Sequence, residues 1–234
     1  MDSTLFRSPP MSVLVQQPVF VPQASKLSTS IDKSARKMEK PEVIVSSPYT
    51  GVEHHLDLKS VPETSRQLAL ALQGLRPIVE DYHSKAYVDS FNWQEIINFL
   101  PSSFSGNFPP LFPHHCSKRS LTIGVFYCIA FYSTLHPNVD TSKLHCLDSL
   151  AHAEANQSGG LLKYWWQDPR DETTRKNLAT CLWTSWDHAK RAGRLPMHAK
   201  AMGATRESYE MWNVERYYLK VSEGNQWELE RINT

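Results

Sequence analysis

An α+β fold of order β-α-β-β-α-β is predicted by three features of this sequence. Residues 121–135 (LTIGVFYCIAFYSTL) form an apolar run rich in strand formers. Residues 161–167 and 177–185 are two short aromatic-rich segments joined by a charged loop. Helical patterns flank that pair, ending at Gln157 on one side and starting at Trp186 on the other. The order is that of the ferredoxin-like arrangement, an antiparallel four-stranded sheet with two helices on one face.

At 234 residues the chain has room for one medium domain with appendages. A hydrophobic content of 41% with 11% aromatics is enough to build a core. The net charge of +1 leaves no electrostatic footprint for nucleic acid or an anionic membrane, and neither partner is expected. The run 121–135 is shorter than the roughly 20 residues of a membrane span. Residues 13–21 (VLVQQPVFV) are interrupted by Gln and Pro and make a poor signal sequence. Cys116, Cys128, Cys146 and Cys181 form no CxxC pair, the pattern of a reduced, cytoplasmic compartment.

Residues 1–41 are rich in Ser, Pro, Lys and Gln without periodicity and are expected to be a disordered tail. A single domain is expected over 42–234, with a helical cover at 63–104 and the ferredoxin-like core at 121–232. Residues 42–46 (EVIVS) suit a short strand. Thr64 and Gln67 fit a capping box. Leu68, Leu72, Leu75, Val79 and Tyr82 then fall on one helical face, although Pro77 inside that pattern should kink or split the helix. A second helix is predicted at 93–100 (WQEIINFL), and 101–120 reads as loop.

In 121–135 both faces are apolar, so burial on both is expected. Ile123, Val125, Tyr127, Ile129 and Phe131 share one face; Phe126, Cys128, Ala130 and Tyr132 share the other. A helix from Asp140 or Thr141 to Gln157 carries the apolar stripe Leu144, Leu147, Ala151 and Ala155, and Gly159-Gly160 stops it. Beyond the two central strands, 186–193 and 197–212 read as a helix broken near Pro196. Residues 215–221 give a fourth strand and 227–232 a fifth.

Four strands about 4.8 Å apart, each of about six residues at 3.3 Å, present roughly 400 Å² per face. That is the size of the largest apolar patch a monomer tolerates. The face without helices therefore needs a cover, either a second subunit, making a homodimer, or the helices of 63–104. Either cover can leave a pocket lined by strand aromatics, and every small-molecule reading is expected to need a cavity above roughly 300 Å³.

The sequence holds no GxGxxG, GxxxxGK[ST] or GxSxG motif, so no cofactor is expected. The pairs His54-His55 and His114-His115, the latter next to Cys116, are neighbours that rarely converge on one ion, so no metal is expected. His145, Asp148 and His152 recur at i, i+3 and i+7 along one helix side. Asp148 can orient either imidazole for general-base chemistry; a solvated polar edge is the plainer reading. His198 stands at a helix start after Pro196. Tyr127, Tyr132, Tyr164, Trp166 and Trp183 are the candidate substrate-binding residues. Alternation sends Tyr164 and Trp166 to one face and Trp165 to the other, and Trp183 shares a face with Cys181 and Ala179. Core packing accounts for any one of these rings, and Cys181 itself reads as core. So many rings with polar handles also suit a cavity for an apolar ligand.

The motifs SGGLLKYW at 158–165 and NLATCLW at 177–183 resemble a fungal family of uncharacterised proteins. His152-Ala153-Glu154-Ala155, Pro196-Met197-His198 and the upstream segments at 75–78, 81–82 and 90–93 fit the same family, over roughly 64–232. Many members carry an Arg after the NLATC[VL]W strand, where this chain has Thr184. The resemblance implies a fungal source and a ferredoxin-like core of the dimeric α+β barrel kind. It implies no catalytic residue.

The expected function is that of a cofactor-independent cyclase or isomerase of fungal specialised metabolism, acting on an apolar terpenoid or polyketide intermediate. A pericyclic step of the Diels–Alder type belongs to this class. The analogy is one of fold. His152 and His198 are the candidate catalytic residues, as hydrogen-bond donor or general acid. Two alternatives stand beside it, a non-enzymatic small-molecule-binding or dimerising protein and a His/Asp-dependent hydrolase or dehydratase.

Overall fold

A computed structural model describes residues 41–100, 122–167 and 174–233. The predicted loop 101–120, with His114, His115 and Cys116, lies outside them, as does the predicted tail save Pro41. In chain order the elements are β1 (Val43–Val45), β2 (His55–Asp57), α1 (Glu63–Ala71), α2 (Tyr87–Ser90), α3 (Trp93–Asn98), β3 (Thr122–Leu135), α4 (Thr141–Gln157), β4 (Leu161–Trp165), β5 (Lys176–Trp183), α5 (Trp186–Ala192), α6 (Pro196–Ser208), β6 (Tyr209–Ser222) and β7 (Gln226–Arg231).

The main sheet has the order β4-β5-β3-β6-β7 and is antiparallel throughout. Its first four strands, with α4 and α6 as crossovers, are the ferredoxin-like core. β7 extends it, and β1 and β2 form a separate two-stranded ribbon. The fold is thus α+β, as its element order predicts.

Side-chain alternation divides the core in two. Phe126, Cys128 and Ala130 of β3 face a cluster with Leu162, Trp165, Leu178 and Leu182. The chain's own α1 and α3 cover this face through Leu68, Trp93 and Ile97. Tyr87 pins α2 to it, its hydroxyl 2.5 Å from Thr180 Oγ1. Tyr127, Tyr164, Cys181 and Trp183 belong to the opposite cluster, with Ala155 of α4 and Ala189 of α5. Ile123, expected on the Tyr127 face, joins the first cluster instead, because the β3–β6 register shifts between Thr122 and Gly124. Val125 is 43% exposed, so the strand is not buried throughout.

Three element boundaries depart from expectation. The helix begun at Glu63 ends at Ala71, and a 3-10 turn at Leu72–Gly74 follows. Pro77 then bridges Phe91 in extended geometry, as a proline and its predecessor favour; Val79 is left exposed, and Tyr82 is buried from a separate turn. The capping box does not form. Pro62 is the N-cap without a side-chain bond, and Gln67 bonds the Glu63 side chain instead. Finally, α6 stops at Ser208, and residues 209–212 belong to β6. The fourteen residues of β3 pair along their length with β6, from Thr122↔Ser222 to Leu135↔Tyr209, and that pairing overrides local helical pattern.

Candidate functional site

A cavity of about 200 Å³ lies between the sheet and helices α4 and α6. It is smaller than the roughly 300 Å³ at which drug-sized pockets begin. At a liquid share of about 30 Å³ per water, it holds a molecule of modest size. Its walls are mainly apolar: Ile129 and Phe131 from β3, Trp166 beyond β4, Ala179 from β5, and Leu144 and Leu147 from α4. Met202 and Trp212 line it too, at 39% and 41% exposure, and mark its opening. The helix-bearing face of the sheet is therefore the hollow one.

Two polar groups of the cavity, Asp148 and His152, come from α4. Asp140 caps this helix, accepting from Lys143 N at 3.0 Å. Asp148 and His152 are one turn apart and point the same way. The imidazole Nδ1 lies 2.9 Å from the Asp148 carbonyl and 3.4 Å from its Oδ1. Asp148 Oδ2 accepts from two phenols, Tyr49 at 2.5 Å and Tyr164 at 2.8 Å. The His152 ring stacks on Tyr164, with centroids 3.4 Å apart and planes 7° from parallel. Its Nε2 lies 3.6 Å from Cys181 Sγ. Tyr164 and Cys181 are cross-strand partners, so this cluster is built on the β4–β5 register.

Burial opposes a charge on His152, but the Asp148 carboxylate beside it overcomes burial and pushes the imidazole up to about 10. Burial likewise opposes the Asp148 charge, and the His152 imidazolium with the two phenols holds its carboxyl below the usual range. Burial pushes Tyr49 and Tyr164 upward, and the Asp148 charge adds to it. The pair is therefore an imidazolium facing a carboxylate. His198 behaves in the opposite way: burial lowers it, and the His152 charge lowers it further. Its Nδ1 is buried without a protein partner. The surroundings thus push the two imidazoles near this cavity in opposite directions. Glu154 positions His198, its Oε2 accepting from Met197 N at 2.9 Å and His198 N at 3.2 Å at the start of α6.

Of the residues singled out from sequence, His152, His198, Tyr164, Trp166 and Trp183 line the cavity together. Trp183 is 2% exposed and its Nε1 has no protein partner. Tyr132 also touches the cavity, but its hydroxyl donates to the Lys85 carbonyl at 3.1 Å, among the residues that cover the other face. Tyr127 lies outside the lining, buried against Tyr218 at 5.9 Å between centroids. His145 packs on Trp166, with centroids 4.8 Å apart. His54 is buried away from the cavity, between Ser47 and Ser149. The sequence carries no sign of Tyr49; Cys181 is core, as expected, and borders the cavity as well. Tyr49 sits in an aperiodic segment with no signal. Cys181 shares strand face and period with Trp183, which was the available clue. Among the described residues, no group of three His, Cys, Asp or Glu is arranged to hold a metal ion, and no helix is long and apolar enough to cross a membrane.

Fold and site together define a ferredoxin-like α+β protein with a small aromatic cavity and a buried His–Asp pair on the helix side of the sheet. The sequence model of the PB2B2.08-like family matches residues 45–231. The chain is 37% identical over 196 residues to UPF0643 protein PB2B2.08 of Schizosaccharomyces pombe, covering 80% of this chain and 83% of the relative. It belongs to that family. Among solved structures, it is similar to SnoaB, a cofactor-independent oxygenase from Streptomyces nogalater, at 15% identity and a TM-score of 0.31 over 39% of this chain and 90% of that one. It is also similar to protein SO0527 from Shewanella oneidensis, at 15% identity and a TM-score of 0.36 over 42% and 94%.

Proposed function

We propose that this protein is an enzyme that binds a small, largely apolar carbonyl compound in the cavity and moves a proton on it, as an isomerase or cyclase. The observation that carries this reading is the His152–Asp148 pair, a buried imidazole 3.4 Å from a carboxylate at the edge of an aromatic cavity. His152 serves as general acid toward the carbonyl oxygen, and His198, kept neutral, serves as base. The aromatic walls hold the reacting conformer, and orientation of that kind removes several kcal/mol of barrier. The cavity volume favours a short terpenoid or polyketide fragment over a large polycyclic intermediate. Charge on His152 favours proton transfer over a purely shape-driven pericyclic closure.

Deuterium exchange tests this without knowledge of the natural substrate. Small apolar ketones that raise the melting temperature are incubated with the protein in heavy water and followed by NMR. Exchange at the carbon next to the carbonyl is expected with the wild type, and is expected to fall by about a hundredfold or more in His152→Gln. Stabilisation by ketones with no exchange at all supports a binding protein and overturns the enzyme reading.

A further inference from the structure

Cys181 is free and 4% exposed, and it forms part of the cavity lining. Its Sγ lies 3.6 Å from His152 Nε2, and the other ring nitrogen faces Asp148. A thiol, an imidazole and a carboxylate in series are the parts of an activated sulfur nucleophile. A second observation points to the ligand. Trp183, two residues along β5 on the same face, keeps a buried indole N–H with no protein acceptor. A buried donor left unpaired is costly, so the arrangement favours an oxygen beside it when the cavity is filled.

We propose that Cys181 is a covalent nucleophile that adds reversibly to an α,β-unsaturated carbonyl compound bound in this cavity. The inference rests on the isomerase reading above and gives that site its reacting atom. In the reacting form the thiol has lost its proton to solvent and the Cys181 thiolate faces the His152 imidazolium, 3.6 Å away. Sulfur forms a bond to the β-carbon of the substrate. The C=C electron pair moves onto the carbonyl oxygen, where the Trp183 N–H donates to the developing enolate. The former double bond is now single and rotates. The enolate pair returns, the C–S bond breaks, and the other geometric isomer leaves with the thiolate restored. Atoms and electrons balance with no water, leaving group or co-reactant. Acyl transfer at the same sulfur would need water to release the product, and the walls here are apolar.

The probes are iodoacetamide and cis-benzalacetone, a small aromatic enone, used on the full chain. Cys146, which is exposed, is the internal control. Peptide mass mapping is expected to find Cys181 alkylated at least as fast as Cys146, despite its burial. Benzalacetone should protect Cys181 and leave Cys146 unchanged. His152→Gln should slow alkylation of Cys181 by about tenfold or more and leave Cys146 as it was. Cys181→Ser and Cys181→Ala, both checked for wild-type melting, should lose cis-to-trans conversion of benzalacetone. Slower labelling of Cys181 than Cys146, indifferent to His152→Gln, overturns the proposal. Conversion that survives in Cys181→Ser but is lost in His152→Gln also overturns it and leaves the proton-transfer reading intact. Fast, His152-dependent labelling that benzalacetone does not slow overturns the proposal and leaves Cys181 a reactive cysteine with no enone bound beside it.

Discussion

At His152 burial and charge pull in opposite directions, and charge prevails. The folded imidazole titrates near 10, above its unfolded value of about 6.5, so the folded state holds the extra proton between them. Its contribution to stability is complete below pH 6.5 and is lost as pH rises toward 10. His54, His188 and His198 are lowered by burial and act below 6.5 with the opposite sense. Burial pushes Lys163 down to about 8, so it too opposes His152, but only above that pH. Among the described groups with a resolved shift, His152 is therefore the one that acts between about 6.5 and 8. Melting temperature should fall across that window in the wild type and stay flatter in His152→Gln; parallel curves would refute the charged pair. A second single-residue case is Gly160, with φ of 81° and a Cβ position 2.3 Å from the His188 ring. Gly160→Ala meets both backbone strain and a clash, and should lose roughly 2–3 kcal/mol in urea denaturation. The sequence marked Gly159-Gly160 as a helix stop, but contact with His188 is tertiary and no local pattern carries it. The same distinction separates His152 and Asp148, whose spacing on one helix is local, from Tyr49, brought in across 99 residues of chain.

Among the elements, α4 is legible because both its ends carry local signals, Asp140 as N-cap and the glycine pair beyond Gln157. The end of α6 carries no such signal. Its residues continue into β6 because β3 offers a partner fourteen residues long, and hydrogen bonding across strands outweighs helical spacing. The start of α6 is set from outside. Glu154, two residues from His152 and so on a different side of α4, accepts from the first amides of α6 and acts as a cap supplied by another helix. Glu154→Ala should cost about 0.5–2 kcal/mol in urea denaturation, the range for loss of a cap. Because those amides belong to Met197 and His198, the same change should also slow any exchange reaction that needs His198. An unchanged stability would mean that α6 is held by packing alone.

For the whole molecule, the order of elements along the chain was readable from the succession of periods, whereas the location of the hollow was not. Alternation divides Tyr164 and Trp166 from Trp165, but it does not say which set meets a closely fitted cover. That depends on residues 63–100, which pack one face through Leu68, Tyr87 and Trp93, all nearly without exposure. The opposite face meets α4 and α6 less completely and keeps the cavity. The two sides of one sheet thus divide the work: one gives stability and the other leaves room for a ligand. This asymmetry has a measurable consequence. Leu182→Ala removes a fully buried side chain from the packed face and should cost about 2–5 kcal/mol, because the surroundings relax only in part. Phe131→Ala removes a larger side chain from the cavity wall, yet should cost less, because its ring is packed on one side and borders empty space on the other. Urea midpoints with unchanged slopes measure both. A loss at Phe131 equal to or above that at Leu182 would mean that the cavity side is as tightly filled as the core, and that the room for a ligand is not there.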